Sequence, residues 1–297
     1  MRAGTVIAWL PIVTLPMAAL LFTPDHWPRW AFMWLLAWTI FAGCKWLTWW
    51  TAPSYGASVR RQLGYLVAWP GLDAAAFLHT PSPRVPPLSA WMFALGKLGV
   101  GIVLIGGVYP RLNTVDLLRG WVGMFGIIFV LHFGLFHLLS LTWQGLGVRA
   151  RAIMDWPVLA VSVSEFWGKR WNLAFRDLTH RFLFRPLTTR FGAKTALVLG
   201  FLFSGIMHEL VISLPAHGGW GGPTTFFLLQ AAAILFERSA VGQRLGLMRG
   251  FRGWAFAMLV LVGPLLLLFH PPFVYTIVVP FLDWILPTPN CRWQTAG

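Results

Sequence analysis

The sequence predicts an all-α protein, a multi-pass transmembrane helix bundle that forms one membrane-embedded domain over residues 1–297 with about eight crossings. The chain is 57% hydrophobic and only 11% charged, and its mean hydropathy is +0.68. One soluble core does not bury that much apolar surface. Many apolar runs also approach the length of about 20 residues that a helix needs to cross a bilayer. Lys and Arg are concentrated in alternate connections between these runs.

Eight apolar runs are the candidate crossings. They cover residues 5–22, 28–50, 88–110, 117–142, 195–214, 222–237, 254–269 and 271–287. The first run contains Pro11 and Pro16 and is followed by no small-residue cleavage site, so we expect a retained helix rather than a secretory signal. Neighbouring helices in a bundle can satisfy the backbone groups that Gly and Pro leave free.

The charge distribution predicts the orientation. Cytoplasmic loops of membrane proteins carry an excess of Lys and Arg. Most of these residues fall on one side if 51–87, 143–194, 238–253 and both termini are cytoplasmic, while Arg29, Arg111 and Arg119 fall on the other and Lys97 lies inside a span. We therefore expect cytoplasmic termini, in a bacterial inner membrane or an endoplasmic reticulum. The net charge of +14 then reflects topology and anionic membrane lipids rather than nucleic acid. No pattern in the sequence indicates an oligomeric state.

The basic loop 143–194 is too aromatic for a solvated linker. Asp155 and Pro157 are typical of a helix start, and no further proline occurs before Pro186. At 100° per residue, one face carries Trp167, Trp171, Ala174 and Leu178, and the opposite face carries Glu165, Lys169, Asn172, Arg176 and His180. This periodicity predicts amphipathic helices lying in or near the cytoplasmic interface.

Two interpretations of the polar face stay open at this point. In the first, it is solvated and Glu165 pairs with Lys169 one turn later. In the second, Asn172 faces a reaction chamber, while Lys169, Arg170 and Arg176 attract an anionic cofactor that carries phosphates. Gly168, in the middle of the predicted helix, either weakens it or allows close approach of another group.

His208 is the most unusual residue of the spans. It lies 13 residues into the run 195–214, which is about 20 Å along a helix. An ionisable side chain at that depth indicates a functional site, although a neutral histidine hydrogen-bonding between helices is the alternative. Ser204 and Gly205 share its face and leave room for a partner helix or a substrate chain. Glu209 points about 100° away, so we expect it to find a partner on another helix or to stay protonated.

Several other chemistries are not favoured. His208-Glu209 begins a zinc-protease pattern, but position 212 is Ile where the second histidine is needed. Cys44 and Cys291 give neither a metal spacing nor a disulfide framework, and we expect no metal site. No Gly-x-Ser-x-Gly elbow or Walker loop occurs in the sequence. His132 and His137 lie in a span and are candidates for lining a cavity, but we do not expect them to be catalytic.

Taken together, the two motif stretches resemble the wax synthase-like branch of the membrane-bound O-acyltransferase (MBOAT) superfamily. Glu165-Phe-Trp-Gly-Lys-Arg-Trp-Asn172 is similar to that branch's Phe-Trp-Gly-Arg-Arg-Trp-Asn signature, and Phe184-Arg-Pro186 is similar to the segment that follows it. Ser204-Gly-Ile-Met-His-Glu-Leu210 resembles its Ser-Gly-x-x-His-Glu block. The resemblance is strongest over about 160–240. Lys169 stands where the family has Arg, which keeps the charge but loses bidentate geometry.

The resemblance implies acyl transfer from acyl-CoA to the hydroxyl of a lipophilic acceptor, with a long-chain alcohol favoured. By this resemblance His208 is the general base, and Asn172 orients the acceptor or stabilises the developing oxyanion. Acyl-CoA would be the donor substrate, and no cofactor would be bound permanently. Lys169, Arg170 and Arg176 would hold the CoA phosphates, and the other expected substrate-binding residues are Trp167, Trp171, Ser204 and Glu209. The motif-bearing core would lie at about 150–240.

Two alternatives remain. An O-acetyltransferase of a glycan or secondary metabolite would use the same machinery on another acceptor. A multi-pass lipid or small-molecule transporter would use the buried histidine for proton coupling, although the sequence has no paired inverted halves. The acyltransfer hypothesis makes a geometric prediction: Asn172 and His208 face one continuous cavity that opens towards the basic loop.

Overall fold

A computed structural model describes residues 3–53, 56–82, 85–112 and 116–286, and the predicted all-α class is confirmed. In the described ranges, the one extended pairing is a β-bridge between Pro81 and Val148. Several of the helices contain a π-helical turn, and two of these turns lie in the motif stretches, at Phe166–Arg170 and Glu209–Ser213. Wider turns of this kind often occur at functional sites.

The helices follow one another through short connections. In chain order they are α1 (Ala3–Phe22), α2 (Arg29–Trp50), α3 (Val59–Ala68), α4 (Ala74–His79), α5 (Leu88–Arg111), α6 (Leu117–Gly145), α7 (163–170), α8 (173–191), α9 (Ala193–Ala216), α10 (Gly222–Glu237), α11 (Ala240–Leu245), α12 (Gly250–Leu268) and α13 (Pro271–Ile285). A single 3₁₀ turn, Pro157–Leu159, precedes α7.

Each of the eight predicted runs coincides with one of these helices. Five of them, α2, α5, α6, α9 and α12, are long and apolar enough to cross a membrane, and the chain is an integral membrane protein. Helices α1, α10 and α13 are also apolar, but their apolar parts are only 10–17 residues long. These parts are Val6–Phe22, Gly222–Glu237 and Pro271–Ile285. Crossings beyond five, and the side on which each loop lies, stay predictions.

Close helix packing surrounds the second motif stretch. Helix α9 packs along α10, and α2 and α13 contact its far end. A methyl group added at Gly205 would lie 2.7 Å from the Cα atom of Thr224, so only glycine allows α9 and α10 to approach this closely. The small residues beside His208 therefore accommodate a partner helix, which was one of the two predicted uses.

A layer of short elements covers one end of the bundle; we call it the loop layer and define it as residues 56–79 and 146–162. Its core is aromatic, with Tyr65, Trp69 and Phe77 all buried. The Trp143 indole N–H donates to the Ala68 carbonyl at 2.9 Å. The buried Lys45 ammonium donates to the Gly71 carbonyl at 2.5 Å and lies 3.4 Å from the centre of the Tyr65 ring. These contacts fix the loop layer to the ends of α2 and α6.

The predicted helix start at Asp155 is wrong. Trp156 adopts left-handed backbone angles, φ 45° and ψ 60°, and only one 3₁₀ turn follows it. The true helix start is Ser162, whose Oγ accepts the N–H of Glu165 at 3.0 Å. The helix then ends before Trp171, which is extended, and Asn172, which is left-handed. The predicted faces therefore do not share one helix, and a position of these helices in the interface stays a prediction.

Candidate active site

The first motif stretch lies on α7, which is held between α10 and α12. Val163 is fully buried at the start of α7. Its side chain belongs to a cluster with Ala233 and Ile234 of α10 and with Ala257 and Leu261 of α12. A polar, charged segment is thus anchored to two apolar helices by its first residue, and the later residues of α7 are held in place by that anchor.

Glu237 holds the N-terminus of α7. Its side chain is fully buried, Oε2 accepts the Val163 N–H at 2.8 Å and Oε1 accepts the Ser164 N–H at 2.8 Å. A carboxylate in this position satisfies two free backbone donors and complements the positive end of the helix. Sequence reasoning missed Glu237. The available signal was an acidic residue at the end of an apolar run, but its partner lies 73 positions earlier in the chain.

Glu165 pairs with Arg170, and the alternative pair with Lys169 is not formed. The Arg170 Nε and Nη2 atoms lie 2.8 and 2.7 Å from Glu165 Oε1, while Oε2 accepts the Val161 N–H at 2.9 Å. Partial burial opposes ionisation, but the hydrogen bonds from Val161 and Arg170 and the charge of Arg170 outweigh it, so the pKa of Glu165 lies below its ordinary value. Lys169 is exposed.

Asn172 occupies a left-handed turn, with φ 42° and ψ 59°. Asparagine is among the few residues that adopt this conformation readily. Two backbone bonds close the chain around the turn, because the Asp155 N–H donates to the Arg170 carbonyl at 2.8 Å and the Leu173 N–H donates to the Ile153 carbonyl at 2.9 Å. The Asn172 Oδ1 caps α8 by accepting the Phe175 N–H at 3.5 Å.

His208 has one ring nitrogen committed to the backbone. Its Nδ1 lies 2.7 Å from the Ser204 carbonyl oxygen, one turn earlier in α9. A carbonyl only accepts, so Nδ1 carries the proton and the lone pair of the neutral ring is on Nε2. The ring also packs against Phe227 of α10, with 4.4 Å between the ring centres.

Aromatic contacts join the two motif stretches. Trp167 packs against Phe227 at 5.5 Å and against Phe201 at 5.7 Å, so Phe227 contacts both Trp167 and His208. The Trp167 indole N–H donates to Gln230 Oε1 at 3.4 Å. Trp171 stacks on Phe166 instead. The structure thus brings the tryptophan of the first stretch and the histidine of the second to one side of α10.

Glu209 is hydrogen-bonded to Thr224 of the neighbouring helix α10. A partner on another helix was one of the two predicted outcomes. Its Oε1 accepts the backbone N–H of Thr224 at 3.1 Å and the Thr224 hydroxyl at 2.9 Å. Its Oε2 is buried and has no hydrogen-bond partner among the described residues. Glu209 therefore ties α9 to the start of α10 and keeps one buried oxygen atom available.

A basic cleft lies in the loop layer beside the start of α8. Arg149 and Arg151 alternate with buried Val148 and Ala150, so both guanidinium groups project from the same side of an extended segment. They line the cleft with Arg176, whose Nε lies 3.1 Å from Asp177 Oδ1. Trp69, Leu72, Asp73, Ile153 and Leu173 complete much of the lining. Sequence reasoning missed Arg149 and Arg151 as site residues, and their alternation with apolar neighbours was the signal.

Of the residues predicted to bind phosphates, only Arg176 lines this cleft. Lys169 and Arg170 lie on α7, outside the lining, and Arg170 is held by Glu165 and by the carbonyls of Asp155 and Trp156 at 3.3 and 3.4 Å. Neither Asn172 nor His208 is part of the lining. A common cavity for Asn172 and His208 remains a prediction, and so does the placement of His132, whose Nδ1 is buried without a partner in the described ranges.

Comparisons with known proteins agree with the motifs. Residues 150–229 match the profile of the Membrane bound O-acyl transferase family. The chain is 29% identical over 177 residues to the probable long-chain-alcohol O-fatty-acyltransferase 1 of Arabidopsis thaliana, covering 53% of this chain and 48% of that protein. It is 29% identical over 146 residues to the long-chain-alcohol O-fatty-acyltransferase of Simmondsia chinensis, covering 43% of this chain and 41% of that protein.

A third relative is named as an acetyltransferase. The chain is 32% identical over 101 residues to the acetyltransferase eriL of Hericium erinaceus, covering 28% of this chain and 26% of that protein. The chain spans about half the length of the curated relatives it matches, or less. These matches confirm the predicted resemblance to the wax synthase-like branch of the MBOAT superfamily.

Proposed function

We propose that this chain, which resembles the membrane-bound O-acyltransferases, transfers an acyl group from acyl-CoA to the hydroxyl of a lipophilic acceptor. A long-chain alcohol is the favoured acceptor. The proposal draws on the profile match over residues 150–229 and on the names of two relatives that are long-chain-alcohol O-fatty-acyltransferases. Acyl-CoA is the donor substrate in this proposal, and no permanently bound cofactor is required.

The observation that carries the proposal is the hydrogen bond from His208 Nδ1 to the Ser204 carbonyl. It leaves Nε2 as an acceptor, which is the state that a general base needs. In the proposed step, Nε2 takes the acceptor's hydroxyl proton while the hydroxyl oxygen attacks the thioester carbonyl. The carbon–sulfur bond then breaks, and His208 returns the proton to the departing CoA thiolate. An ester and free CoA are the products, and no protein nucleophile takes part.

Asn172 is the proposed partner of His208. Its Oδ1 is used as a helix cap, while its Nδ2 amide group makes no hydrogen bond to the described residues and is free to donate. A fixed donor aimed at the thioester oxygen stabilises the negative charge that develops in the transition state. The left-handed turn fixes the position of this donor, because both sides of the turn are tied to residues 153–155.

The donor's phosphates are assigned to the basic cleft. Arg149, Arg151 and Arg176 converge on one cleft, and guanidinium groups match phosphate oxygens with paired donors. Lys169 is exposed on α7 and adds positive charge to the motif stretch. Arg170 contributes indirectly in this proposal, by fixing the loop through Glu165. The cleft would face the cytoplasm of a bacterial inner membrane or an endoplasmic reticulum, with both termini on that side.

The remaining residues shape the acceptor side. Trp167 and Trp171 offer apolar ring faces for the acyl chain or the acceptor chain. Ser204 orients His208 through its carbonyl oxygen. The unpartnered Glu209 Oε2 next to His208 can accept a hydrogen bond from a substrate group. Position 168 leaves open space, since no atom lies within 4 Å of the place where a Cβ would be, and a substrate can approach the backbone there.

The central test is turnover by the purified protein with palmitoyl-CoA and hexadecanol, followed as thiol release and as ester mass. His208→Ala is expected to reduce turnover by about a thousandfold. His217→Ala, at an exposed position after α9, is the matched control and keeps wild-type turnover. Full activity of His208→Ala would refute the base assignment. Solute flux in proteoliposomes without any consumption of acyl-CoA would favour a transporter instead.

The donor assignment has a separate test. Replacing Arg149 and Arg151 together by Gln is expected to raise the KM for palmitoyl-CoA by about a hundredfold and to leave the KM for the alcohol unchanged, since each of the two lost charged hydrogen bonds weakens binding by about 1.5 kcal/mol. Arg244→Gln, outside the cleft, is the control. An unchanged KM for the donor would remove these two arginines from the donor site.

A second candidate function is acetyl transfer to a hydroxyl of a secondary metabolite or glycan. The matched stretch of the acetyltransferase eriL favours it. The same residues would act, and only the donor chain and the acceptor would differ. Competition between acetyl-CoA and palmitoyl-CoA in one reaction, read out by product mass, separates the two candidates.

A further inference from the structure

A half-buried lysine and a half-buried histidine lie together between two apolar helices of the bundle. Lys97 of α5 and His137 of α6 are 2.7 Å apart, measured from Nζ to Nδ1. Lys97 is nine residues from Leu88, and His137 is eight residues from Gly145. Both positions are therefore about 13 Å from the helix ends that meet the loop layer. Ionisable residues at such depth in a span are seldom placed there without a ligand or a function.

The donors and acceptors of this pair define what it can bind. An ammonium group only donates, so His137 Nδ1 accepts and the ring proton is on Nε2. Two Nζ protons of Lys97 and the Nε2 proton of His137 remain available. Lys97 forms no ion pair with a carboxylate in the described ranges of the chain. The pair therefore presents donors only, together with an uncompensated positive charge.

The surroundings of the pair are aromatic and open to the exterior of the bundle. The Lys97 ammonium lies 4.4 Å from the centre of the Phe93 ring, and Phe93 stacks on Trp156 at 4.6 Å. Phe93 is 38% exposed, Met92 61% and Trp156 51%, so an apolar surface extends from the charged pair towards the lipid. The Trp156 carbonyl accepts from Arg170 Nη1 at 3.4 Å, which joins this surface to the end of α7.

We infer that Lys97, held in place by His137, binds the anionic head group of a membrane amphiphile, a long-chain carboxylate or a phosphate. Oxygen atoms of such a head group accept the two free Nζ protons of Lys97, and the negative charge compensates the lysine. The attached chain lies along the exposed faces of Phe93, Met92 and Trp156. A site of this kind lets a membrane fatty acid or an anionic phospholipid contact the loop that carries Trp156 and Arg170.

The test uses the full chain in nanodiscs of zwitterionic phosphatidylcholine, without acyl-CoA, titrated with radiolabelled oleate. Wild-type protein is expected to bind oleate saturably. Lys97→Met weakens this binding by about tenfold, which is the effect of losing one charged hydrogen bond of about 1.4 kcal/mol or more. Lys97→Arg keeps the charge and retains binding, and Lys194→Met, at the exposed start of α9, is the control for general loss of charge.

A second arm identifies the source of the head group. Nanodiscs that contain phosphatidylglycerol are purified with the wild type and with Lys97→Met, and the retained lipids are quantified. If phosphatidylglycerol is enriched with the wild type but not with Lys97→Met, the head group is a phospholipid phosphate. If only the oleate arm shows saturable binding, the head group is a carboxylate. If the wild type and Lys97→Met behave identically in both arms, the inference is overturned.

Photolabelling of the wild type protects the test against misfolding of the variant. A fatty acid with a diazirine near its carboxylate is expected to label peptides that contain residues 92–97 or Trp156. Labelling confined to other helices contradicts the site even if Lys97→Met does not fold. Because no step requires acyl transfer, failure of this inference and failure of the proposed function are separate outcomes.

Discussion

Glu237 Oε2 accepts the backbone N–H of Val163 at 2.8 Å, across 74 positions of sequence. Through this bond the last residue of α10 fixes the first residue of α7, the helix that carries the first motif stretch. Both residues are fully buried, so water does not replace the bond if it is broken. The same helix α10 carries Phe227, which contacts both Trp167 and His208. One helix therefore sets the position of both motif stretches.

Glu237→Ala is expected to lower the stability of the folded protein by about 3 kcal/mol, because the buried N–H of Val163 and the partly buried N–H of Ser164 lose a charged acceptor. Turnover should fall as well, since α7 and the Asn172 turn lose their anchor. Glu237→Gln keeps one oxygen acceptor and should show an intermediate loss. Thermal unfolding in detergent and ester formation measure the two effects. If Glu237→Ala kept wild-type values in both assays, Glu237 would not position the motif.

Asn172 can be tested separately for its backbone and its side chain. Asn172→Gly keeps the left-handed turn and removes the amide, so we expect nearly unchanged stability with a loss of turnover of about a hundredfold. Asn172→Ala removes the amide and also strains the turn by about 1 kcal/mol. A melting temperature measured beside kcat for both variants distinguishes the two effects. Retained turnover in Asn172→Gly would mean that this position is purely structural.

The Glu165–Arg170 pair predicts a pH dependence of stability. The folded-state pKa of Glu165 lies below its ordinary value of 4.5, so its contribution is fully present above that value and is lost as the pH falls through the folded-state pKa. At neutral pH, Glu165→Gln should lower stability by about 1 kcal/mol. The difference between the wild type and Glu165→Gln should shrink as the pH is lowered below about 4.5.

The measurement is the melting temperature of both proteins between pH 3 and pH 7. A second ion pair, on α8, provides a comparison: burial raises the pKa of Asp177, and the Arg176 guanidinium opposes that rise. Asp177→Asn should therefore show the opposite trend to Glu165→Gln. A constant difference between the wild type and Glu165→Gln over the whole pH range would contradict the role of the pair.

Two glycines of α9 provide a matched test of the contact between α9 and α10. A methyl group at Gly205 would collide with the backbone of Thr224, whereas no atom lies within 4 Å of the corresponding position at Gly200. We expect Gly205→Ala to destabilise the protein by about 1–3 kcal/mol and to reduce turnover, because Thr224 also holds Glu209 beside His208. Gly200→Ala should melt at or above the wild-type temperature. Equal behaviour of the two variants would refute the close approach.

The apolar helices could be predicted because their signal is local. Each apolar run of the sequence coincides with a helix, and the glycine beside His208 marks a close helix contact. The sequence predicted that Glu209 has a partner on another helix, but it did not identify Thr224 as that partner. Composition and periodicity carry this information because each depends only on neighbouring residues.

The segment from residue 155 to residue 172 could not be predicted in the same way. Periodicity suggested one helix through Trp167 and Asn172, but Asn172 prefers the left-handed turn that ends it. The start of α7 depends on Ser162 nearby and on Glu237 far along the chain. The sequence predicted that Arg170 binds a phosphate, whereas in the fold its guanidinium pairs with Glu165. Glu237 is a long-range partner, whereas the turn at Asn172, the cap at Ser162 and the Glu165–Arg170 pair are local features that helical periodicity does not register.

The two backbone bonds that close the loop, from Asp155 to Arg170 and from Leu173 to Ile153, also fix its length. A single deletion between residues 156 and 169 shifts the Arg170 carbonyl along the chain, so the Asp155 bond is lost or the helix start at Ser162 moves. An insertion has the same effect in the other direction. Surface loops usually tolerate such changes. In this segment, by contrast, the two backbone hydrogen bonds fix the number of residues between Asp155 and Arg170.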